Sequence, residues 1–381
     1  MPTFTVDEGD VRFYYEDTGP PIDDPTEAYT TVIMLHGTFY HSAIFRRLIP
    51  HAKKFKLRLV LLNQRDYLGS TPHQEKDINA LRSSDTDVQR SILREHGHQY
   101  VNFIVGIIGA LSIPPLYIAE DGLLAGGISF VAWSSGNHVL FEFLSYMDIL
   151  PEGRKNTLRT HLRSVVVYDP PMNVIGDRPP LFFREVGNRT SGFWSPFRDP
   201  AIPIAQKMGL FPLFASSHYT PVSELPSLHD AAIEDTFKLL HGRKMLDDPP
   251  ATCSSMSEKD IEEVAIEGHL SPRTASFLFH VKPEIFSEHV RRSFTQLEKV
   301  DSIVPGESQE LNSRFKITLV WCDRTAAECI LGASTLVQMH DKMNEEGVPV
   351  RRLIVKKLEN ANHLVHWEEP ERFMTFLAEQ V

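Results

Sequence analysis

The chain has 381 residues, enough for one large domain with an insertion or for two domains. Its formal net charge of −11 argues against nucleic acid or an anionic membrane as the main partner. The three cysteines are too few for a disulfide framework or a zinc site and favour a reducing compartment. Because the N-terminal residues lack the pattern of a secretory signal and no apolar run approaches membrane-spanning length, we expect a cytoplasmic protein.

Short apolar runs that alternate with helical patterns predict a mostly parallel α/β sheet flanked by helices. Residues 3–18 come first and predict an antiparallel hairpin at a sheet edge. Runs rich in β-forming residues then predict buried strands at 31–35, 57–62, 164–168, 315–321 and 352–356, with one more beginning at Ile128. Helices are expected at 42–55, 100–111, 334–345 and 369–379, and a polar, solvated helical segment over 73–97.

Residues 171–313 differ in character from the rest of the chain. They contain much of its proline, several aromatic clusters and helical patterns at 226–242, 257–267 and 282–298, but no strand-like run of comparable strength. We therefore expect a mainly helical cap domain at 171–313, inserted into a core made of 1–170 and 314–381.

The apolar run that begins at Ile128 ends in a small-x-Ser-x-small pentad, Ala132 to Gly136, and a helical run follows it. This pattern is typical of a sharp strand-turn-helix elbow, which holds one serine in a strained backbone conformation with its Oγ projecting from the sheet edge. Small residues two positions to either side let the strand and the helix approach, and Ser134 has them whereas Ser135 does not. We predict that Ser134 is a nucleophile and that Ser135 supplies a backbone N–H.

A serine hydroxyl needs a base, and the base needs a carboxylate that holds its tautomer. The best candidate base is His363, because it lies in a loop after the predicted strand 352–356. Such a loop lies at the carboxyl edge of a parallel sheet, where ligands bind. His366 in the same segment is the closest competitor.

Acyl-transfer chemistry also needs donors for the developing oxyanion, and main-chain N–H groups supply them without reorganisation. One N–H is expected from Ser135. The other is expected from the loop after the strand 31–35, where we favour Thr38 and then Gly37.

Together these motifs resemble those of α/β-hydrolase fold enzymes of the lipase, esterase and lactonase type. The resemblance rests on His36-Gly37, Arg65-Asp66-x-x-Gly69-Ser70, Ala132-x-Ser134-x-Gly136, and Asn362-His363 leading to His366-Trp367-Glu368-x-Pro370. The motifs occur in the family's order, and the inserted segment falls where the family usually carries its lid. Serine at the nucleophile position excludes epoxide hydrolases and haloalkane dehalogenases, which need an aspartate there, and points to attack on a carbonyl.

The sequence departs from the family pattern at the acid. In many relatives the acid closes a Trp-Gly-x-x-Asp motif, whereas this segment reads Trp321-Cys322-Asp323-Arg324-Thr325, with threonine at the expected position. A second group in the fold, including lactonases that open resorcylic macrolides, places the acid after the strand that follows the elbow, before one or two prolines. Asp169-Pro170-Pro171 resembles that arrangement. We therefore predict that Asp169 orients His363, with Asp323 as the alternative.

These residues predict a hydrolase that cleaves a carboxylic ester or lactone of a medium-sized hydrophobic substrate through an acyl-enzyme. Aromatic residues are expected to line the substrate pocket, namely Phe39, Trp133, Phe183 and Trp194. The sequence contains no phosphate-binding glycine loop, dinucleotide fingerprint or plausible metal cluster, so we expect no cofactor and no metal.

Alternatives to this function, and the oligomeric state, stay open. The same site could serve a biosynthetic transacylase, a lyase or a carbon–carbon bond hydrolase. A ligand receptor that retains the fold for binding is an alternative of another class. The oligomeric state is also open, with a homodimer as one form.

Overall fold

The computed structural model describes residues 2–6, 10–22, 28–119, 122–222, 225, 227–265, 271–295 and 315–381. An eight-stranded sheet runs through the described part of the chain. Its strands are β1 Thr3–Thr5, β2 Arg12–Asp17, β3 Thr30–Leu35, β4 Leu57–Leu62, β5 Ile128–Trp133, β6 Leu162–Tyr168, β7 Lys316–Cys322 and β8 Leu353–Leu358. A separate small hairpin pairs Tyr117–Ile118 with Leu124–Ala125.

The order of strands across the sheet is β1-β2-β4-β3-β5-β6-β7-β8. Strand β2 is antiparallel to both β1 and β4, while the remaining neighbours run parallel. All six residues of β5 are buried, as expected of a strand that is covered on both faces. The predicted mostly parallel sheet with an antiparallel hairpin at one edge is confirmed.

Helices cover both faces of this sheet. They are α1 Ile49–Ala52, α2 Glu75–Leu81, α3 Thr86–Ala110, α4 Asn137–Ser145, α5 Glu152–His161, α6 Phe182–Glu185, α7 Ile204–Ser216, α8 Ile233–His241, α9 Thr252–Ser255, α10 Glu258–Val264, α11 Pro272–Phe279, α12 Pro283–Thr295, α13 Ala327–Glu345, α14 Val365–Glu368 and α15 Pro370–Ala378. Short 3-10 helices occupy Ser42–Leu48, Lys53–Phe55, Ser134–Gly136, Met147–Ile149 and Met172–Val174. The helix predicted at 42–55 is therefore mainly 3-10, with α1 as a single α-helical turn.

Alternating side chains of the central strands enter two apolar layers, one on each side of the sheet. In β3, Ile33 and Leu35 belong to one layer and Val32 and Met34 to the other. The first layer includes residues of α3, α4 and α13, and the second includes residues of the 3-10 helix after β3 and of α15. The core therefore lies on both faces of the sheet and leaves its carboxyl edge for polar residues.

Helix α3 corrects the predicted pattern, which divided this region into a solvated segment and a separate apolar helix. It is one helix of 25 residues, capped by the Asp85 side chain, which accepts a hydrogen bond from the Asp87 N–H. Its polar half is solvated on one side, where Asp87, Arg94 and Glu95 are exposed, while His96 and Gln99 on the other side are buried. The reason is that α3 packs against α4, so its inner face must be buried over the whole length.

Between β6 and β7 the described residues form helices α6 to α12 and contribute no strand to the main sheet. We call residues 170–315 the insertion. The predicted helices at 226–242, 257–267 and 282–298 correspond to α8, α10 and α12, although parts of those ranges lie outside the described residues. The predicted domain boundary at 313/314 also lies outside them, so the division into core and cap stays a prediction.

Among the described residues, no helix combines the length and the apolar character that crossing a bilayer requires.

Candidate active site

Strand β5 leads directly into the pentad that was predicted to form an elbow. Ser134 has a φ of +57°, in the left-handed region that residues with side chains rarely adopt. A Cβ added at Gly37 would lie 2.6 Å from Ser134 Cβ, and one added at Gly136 would lie 2.5 Å from the His36 carbonyl oxygen. Neither distance leaves room for a side chain. Glycine at these two positions therefore lets the loop after β3 interlock with the elbow.

The three residues predicted as nucleophile, base and acid are in contact. His363 Nε2 lies 2.8 Å from Ser134 Oγ, and His363 Nδ1 lies 2.5 Å from Asp169 Oδ2. Ser134 follows β5, Asp169 follows β6, and His363 lies in the loop after β8. Because these strands are parallel, their carboxyl ends meet at one edge of the sheet. The arrangement is that of a nucleophile, a base and an orienting carboxylate in series.

Asp169 is fully buried and is held by further donors. Its Oδ1 accepts a hydrogen bond from the Cys322 N–H at 3.1 Å, and its Oδ2 accepts one from the Thr325 hydroxyl at 2.7 Å. Threonine at the position where many relatives carry the acid thus donates to an acid on the neighbouring strand. The alternative acid, Asp323, accepts a hydrogen bond from the Ala361 N–H at 3.1 Å. The structure therefore places Asp169 against His363 and gives Asp323 a bracing contact to the loop that carries His363.

One cluster in the described residues has the donor atoms of a metal site. The ligand atoms of Asp169, Cys329 and His363 lie within 4.8 Å of one another. Two of these residues are already hydrogen-bonded to each other. Burial raises the pKa of the Cys329 thiol well above its usual value, and a thiol binds metal as the thiolate. We attribute this cluster to the contact between His363 and Asp169.

The order of the strands in the sheet places the three side chains of the site at one edge. The strand order places the elbow after the fifth strand, the buried acid after the sixth and the histidine after the eighth, all at the carboxyl edge. The chain has the α/β-hydrolase fold. In this chain the insertion follows Asp169, between the sixth and seventh strands.

No family model matches the sequence, and no curated protein matches it at a significant level. The chain is similar to a thermophilic esterase from Thermogutta terrifontis, with 11% identity over 100% of this chain and 98% of that one and a TM-score of 0.46. It is also similar to a putative aryl esterase from Burkholderia cenocepacia, with 15% identity, 100% and 97% coverage and a TM-score of 0.43. A bromoperoxidase from Bacillus anthracis has 13% identity, 100% and 99% coverage and a TM-score of 0.43. The assignment of the fold rests on the topology and not on these distant likenesses.

The residues predicted to supply oxyanion N–H groups lie beside the nucleophile. Thr38 Oγ1 and Ser135 Oγ are 2.7 Å apart, which joins the loop after β3 to the elbow. His36 holds the start of this loop, because its Nδ1 donates to the Gly37 carbonyl at 2.8 Å and its Nε2 accepts from the Gln64 N–H at 3.1 Å. Burial lowers the pKa of His36 to about 3, so the ring is neutral and can accept that hydrogen bond.

A cavity of about 160 Å³ borders the nucleophile. Ser134, Ser135, Thr38 and His363 form part of its wall. The insertion contributes its apolar lining, which includes Phe197, Phe211, Phe214, Leu278 and Phe279. The wall is therefore mainly apolar where the insertion covers the site.

The four residues predicted to line the pocket lie elsewhere, which corrects that prediction. Phe183 is 62% exposed, and Trp194 Nε1 donates to Asp199 Oδ2 at 2.8 Å. Phe39 and Trp133 belong to the apolar layer behind the elbow. Aromatic composition marks a residue as apolar but does not say which way its side chain points.

His366, the competing base, is buried among aromatic rings. Its ring centroid lies 4.6 Å from that of Trp133 and 5.1 Å from that of Phe45, and its Nδ1 lies 3.1 Å from the Tyr168 hydroxyl. Burial, and then the charge of the nearby His363, lower the pKa of His366 well below its usual value. These contacts give His366 a packing role and leave His363 as the histidine beside Ser134.

Two side chains that were not predicted to do so hold the turns that carry Ser134 and His363. Asn137 Nδ2 donates to the carbonyl of Ser134 at 2.7 Å and to that of Tyr168 at 3.1 Å, so it joins the elbow to the end of β6. Trp133 Nε1 donates to the His363 carbonyl at 3.0 Å, and its ring centroid lies 4.8 Å from that of His363. Trp133, predicted as a pocket residue, therefore supports the base from behind.

The insertion also braces these turns. Arg243 is buried and donates to the carbonyls of Thr325 at 2.7 Å and Asp323 at 2.9 Å. Asn362, next to the base, donates to the Ser216 carbonyl at 2.8 Å. Asparagine before the histidine was part of the motif that indicated the fold. Nothing in the sequence around Arg243 indicated its contact.

Proposed function

We propose that this α/β-hydrolase is a serine hydrolase that cleaves a carboxylic ester or lactone of a medium-sized hydrophobic substrate. The observation that carries the proposal is the hydrogen-bonded series from Ser134 through His363 to Asp169, with contacts of 2.8 and 2.5 Å. A serine nucleophile favours attack on a carbonyl carbon. The mainly apolar wall of the cavity favours a hydrophobic substrate.

In the first half of the reaction, Ser134 Oγ bonds to the carbonyl carbon while His363 Nε2 takes its proton. The carbonyl oxygen becomes an oxyanion, which the N–H groups of Ser135 and Thr38 would stabilise. The intermediate then collapses, the bond to the leaving oxygen breaks, and His363 returns the proton to that oxygen. Asp169 accepts the hydrogen bond from the Nδ1–H of His363 throughout.

In the second half, water takes the place of the leaving alcohol. His363 removes a proton from this water, whose oxygen bonds to the acyl carbon, and the proton passes to Ser134 Oγ as the acid leaves. We further propose that the insertion acts as a cap over this site, since its aromatic residues line the cavity.

A fluorophosphonate probe followed by peptide mapping tests the nucleophile. We expect labelling at Ser134 in the native protein and none after heat denaturation, because reaction requires the contact with His363. Ser134→Ala should abolish both labelling and ester turnover. Ser135→Ala is the matched control: it keeps the backbone N–H, so it should still be labelled at Ser134.

Turnover of an ester in isotopically labelled water separates hydrolysis from acyl transfer. Hydrolysis places one solvent oxygen in the released acid, whereas transfer to another acceptor does not. Labelling at a residue other than Ser134, or turnover by Ser134→Ala, would contradict the proposed mechanism. Ligand binding without labelling or turnover would instead favour a receptor.

A further inference from the structure

Two arginine side chains lie in the wall of the candidate cavity. Arg178 follows the short 3-10 helix Met172–Val174, and Arg198 precedes α7. Their guanidinium carbons lie 5.8 and 5.3 Å from the centroid of the same Phe182 ring. The two guanidinium groups therefore lie beside the same aromatic ring, although they come from different segments of the insertion.

The cavity wall carries less negative than positive charge. Among the described residues that line it, Glu328 has the one acidic side chain, and this carboxylate is already paired with Arg198. Arg178 and Arg198 against Glu328 leave a net charge of +1 on the wall. Burial lowers the pKa of Arg178, and burial followed by the charge of Arg178 lowers the pKa of Arg198 to about 10. An arginine guanidinium keeps its proton in proteins, so both side chains count as positive charges at neutral pH.

Two buried donors in this wall have no acceptor within the described structure. They are Arg178 Nε and Asn173 Nδ2. Burying a donor without an acceptor is costly, and more so for a charged group. Both groups need an acceptor, and a group that only accepts hydrogen bonds fits them without leaving a donor of its own unpaired. A carboxylate is such a group, and the planar guanidinium fork matches its geometry.

We propose that the substrate is an ester or lactone that carries one carboxylate away from the bond that is cleaved, and that Arg178 binds this carboxylate, with Asn173 and Arg198 beside it. This inference rests on the proposed hydrolase function of the same site. A single carboxylate would neutralise the net charge of +1, whereas a phosphate dianion would leave an excess of negative charge. The aromatic part of the wall would then hold the apolar section of the substrate between the ester and the carboxylate.

The test compares two esters with the same acyl chain, the mono-para-nitrophenyl ester of suberic acid and the same ester with its free carboxylate capped as a methyl ester. We expect the wild-type protein to have a kcat/KM for the free acid about 10- to 100-fold higher than for the capped ester, mainly through KM, because a charge-assisted pair is made only by the acid. Arg178→Gln should remove most of this preference. Arg178→Lys, which keeps the charge but not the fork, should restore part of it.

Arg184→Gln is the matched control, since Arg184 is an exposed arginine in α6, close to Arg178 in sequence and absent from the cavity wall. It should leave the preference unchanged. The proposal is overturned if the wild-type protein prefers the capped ester or does not distinguish the two, or if Arg178→Gln keeps the preference. Stronger competitive inhibition by an alkyl phosphate than by the matching alkyl carboxylate would also overturn it.

A failure of the hydrolase proposal gives a different result. In that case neither ester turns over and the fluorophosphonate does not label Ser134. Calorimetric titration with monomethyl suberate, which carries one carboxylate, still decides about the carboxylate site: binding to the wild-type protein that weakens by about 10-fold or more in Arg178→Gln supports it, and absence of binding overturns it. Thermal unfolding of each variant checks that the fold is intact.

Discussion

At the scale of single residues, Thr325 and Asp169 meet at one point beside the base. The Thr325 hydroxyl lies 2.7 Å from Asp169 Oδ2 and 3.5 Å from His363 Nδ1. Two neighbouring strand ends therefore direct side chains to the same side of the imidazole. A carboxylate on either strand could reach the ring, and this sequence uses the earlier one.

We expect Asp169→Asn to lower kcat by about four orders of magnitude, because an amide holds the wrong tautomer of the base. Adding Thr325→Asp to that variant should recover part of the loss, since the new carboxylate approaches His363 Nδ1 from the neighbouring strand. Steady-state turnover of a neutral ester measures both effects.

Asp323→Asn is the matched control for the acid. It removes a carboxylate whose described contact is the Ala361 N–H, so it should cost far less turnover than Asp169→Asn. If Asp323→Asn lost turnover while Asp169→Asn kept it, the orienting role assigned to Asp169 would be wrong.

Gly37 offers a second test at this scale. Its Cβ would lie 2.6 Å from Ser134 Cβ, so Gly37→Ala must push the loop after β3 away from the elbow. We expect a large loss of kcat, because the oxyanion donors move with that loop. Gly109→Ala is the control: no atom lies within 4 Å of the added Cβ, and it should stabilise the protein by about 0.4–1 kcal/mol. Equal activity in the two variants would argue against a tight interlock.

At the scale of elements, a buried charge network ties the insertion to the elbow helix α4. Arg273 of α11 donates to both carboxylate oxygens of Glu142 at 3.1 Å, and its Nη1 lies 2.7 Å from His138 Nε2. Burial raises the pKa of Glu142 to about 7, and Arg273 opposes that rise. The helix that begins behind the nucleophile is thereby fixed to a residue 131 positions further along the chain.

We expect Arg273→Met to lower the free energy of unfolding by about 3–5 kcal/mol, because it leaves the Glu142 carboxylate buried without its partner. Replacing both residues, as in Arg273→Met with Glu142→Leu, should restore most of that loss. Urea unfolding at neutral pH measures the free energy of unfolding of each variant.

Arg90→Met is the control for this network. Arg90 of α3 pairs with Glu288 of α12 at 2.9 Å, but the side chains are 37% and 40% exposed. Such a pair contributes about 0–1 kcal/mol. If Arg90→Met and Arg273→Met lowered the free energy of unfolding by similar amounts, the contribution of these ion pairs would not depend on burial.

Elements were predictable where a local pattern determines them. The strands are short runs of β-forming residues that are covered on both faces, and no long-range information is needed to recognise them. Helix α3 was divided wrongly because its polar half also buries His96, beside the His73 ring, and Gln99, beside the Arg65 guanidinium, which are contacts that a polarity pattern cannot show.

At the scale of the whole molecule, the fold buries several neutral imidazoles. Burial lowers the pKa to about 3 for His36 and His289, to about 4 for His73, and well below the usual value for His96, His138 and His366. In the unfolded chain these groups titrate at about pH 6.5. As the pH falls below that value the unfolded chain takes up protons that the folded chain does not, so stability decreases from about pH 6.5 toward about pH 4. Glu142 has the opposite sign, since its raised pKa lowers stability as pH rises toward about 7.

We therefore expect the free energy of unfolding to fall on acidification before most carboxylates titrate. Urea titrations at a series of pH values between neutrality and about pH 5.5 measure the slope. His289→Gln should make the slope shallower by at most about 1.4 kcal/mol per pH unit, the value for one full proton, which is approached as the pH falls below about 6.5. A flat profile over this range, or an unchanged slope in His289→Gln, would contradict this account.

Residues of the site were predictable from the sequence where a short local motif identifies them. Ser134 lies in a pentad whose small residues are typical of a strand-turn-helix elbow. His363 lies in a recognisable loop after a strand. The choice between Asp169 and Asp323 needed the register of neighbouring strands, which the sequence does not specify. Arg178, Arg198 and Glu328 share no motif or spacing, and only the packing of the insertion brings them to one cavity.

The base lies 194 residues beyond the acid and 229 beyond the nucleophile, in the loop after the last strand of the sheet. During synthesis the serine leaves the ribosome long before its base exists, so the growing chain carries an unactivated alcohol. The same holds for a chain that refolds from denaturant, because the histidine reaches the serine once β8 has paired with β7 and the insertion has braced its loop. Recovery of hydrolytic activity would therefore report the completion of folding, and it should occur later than the burial of the central strands.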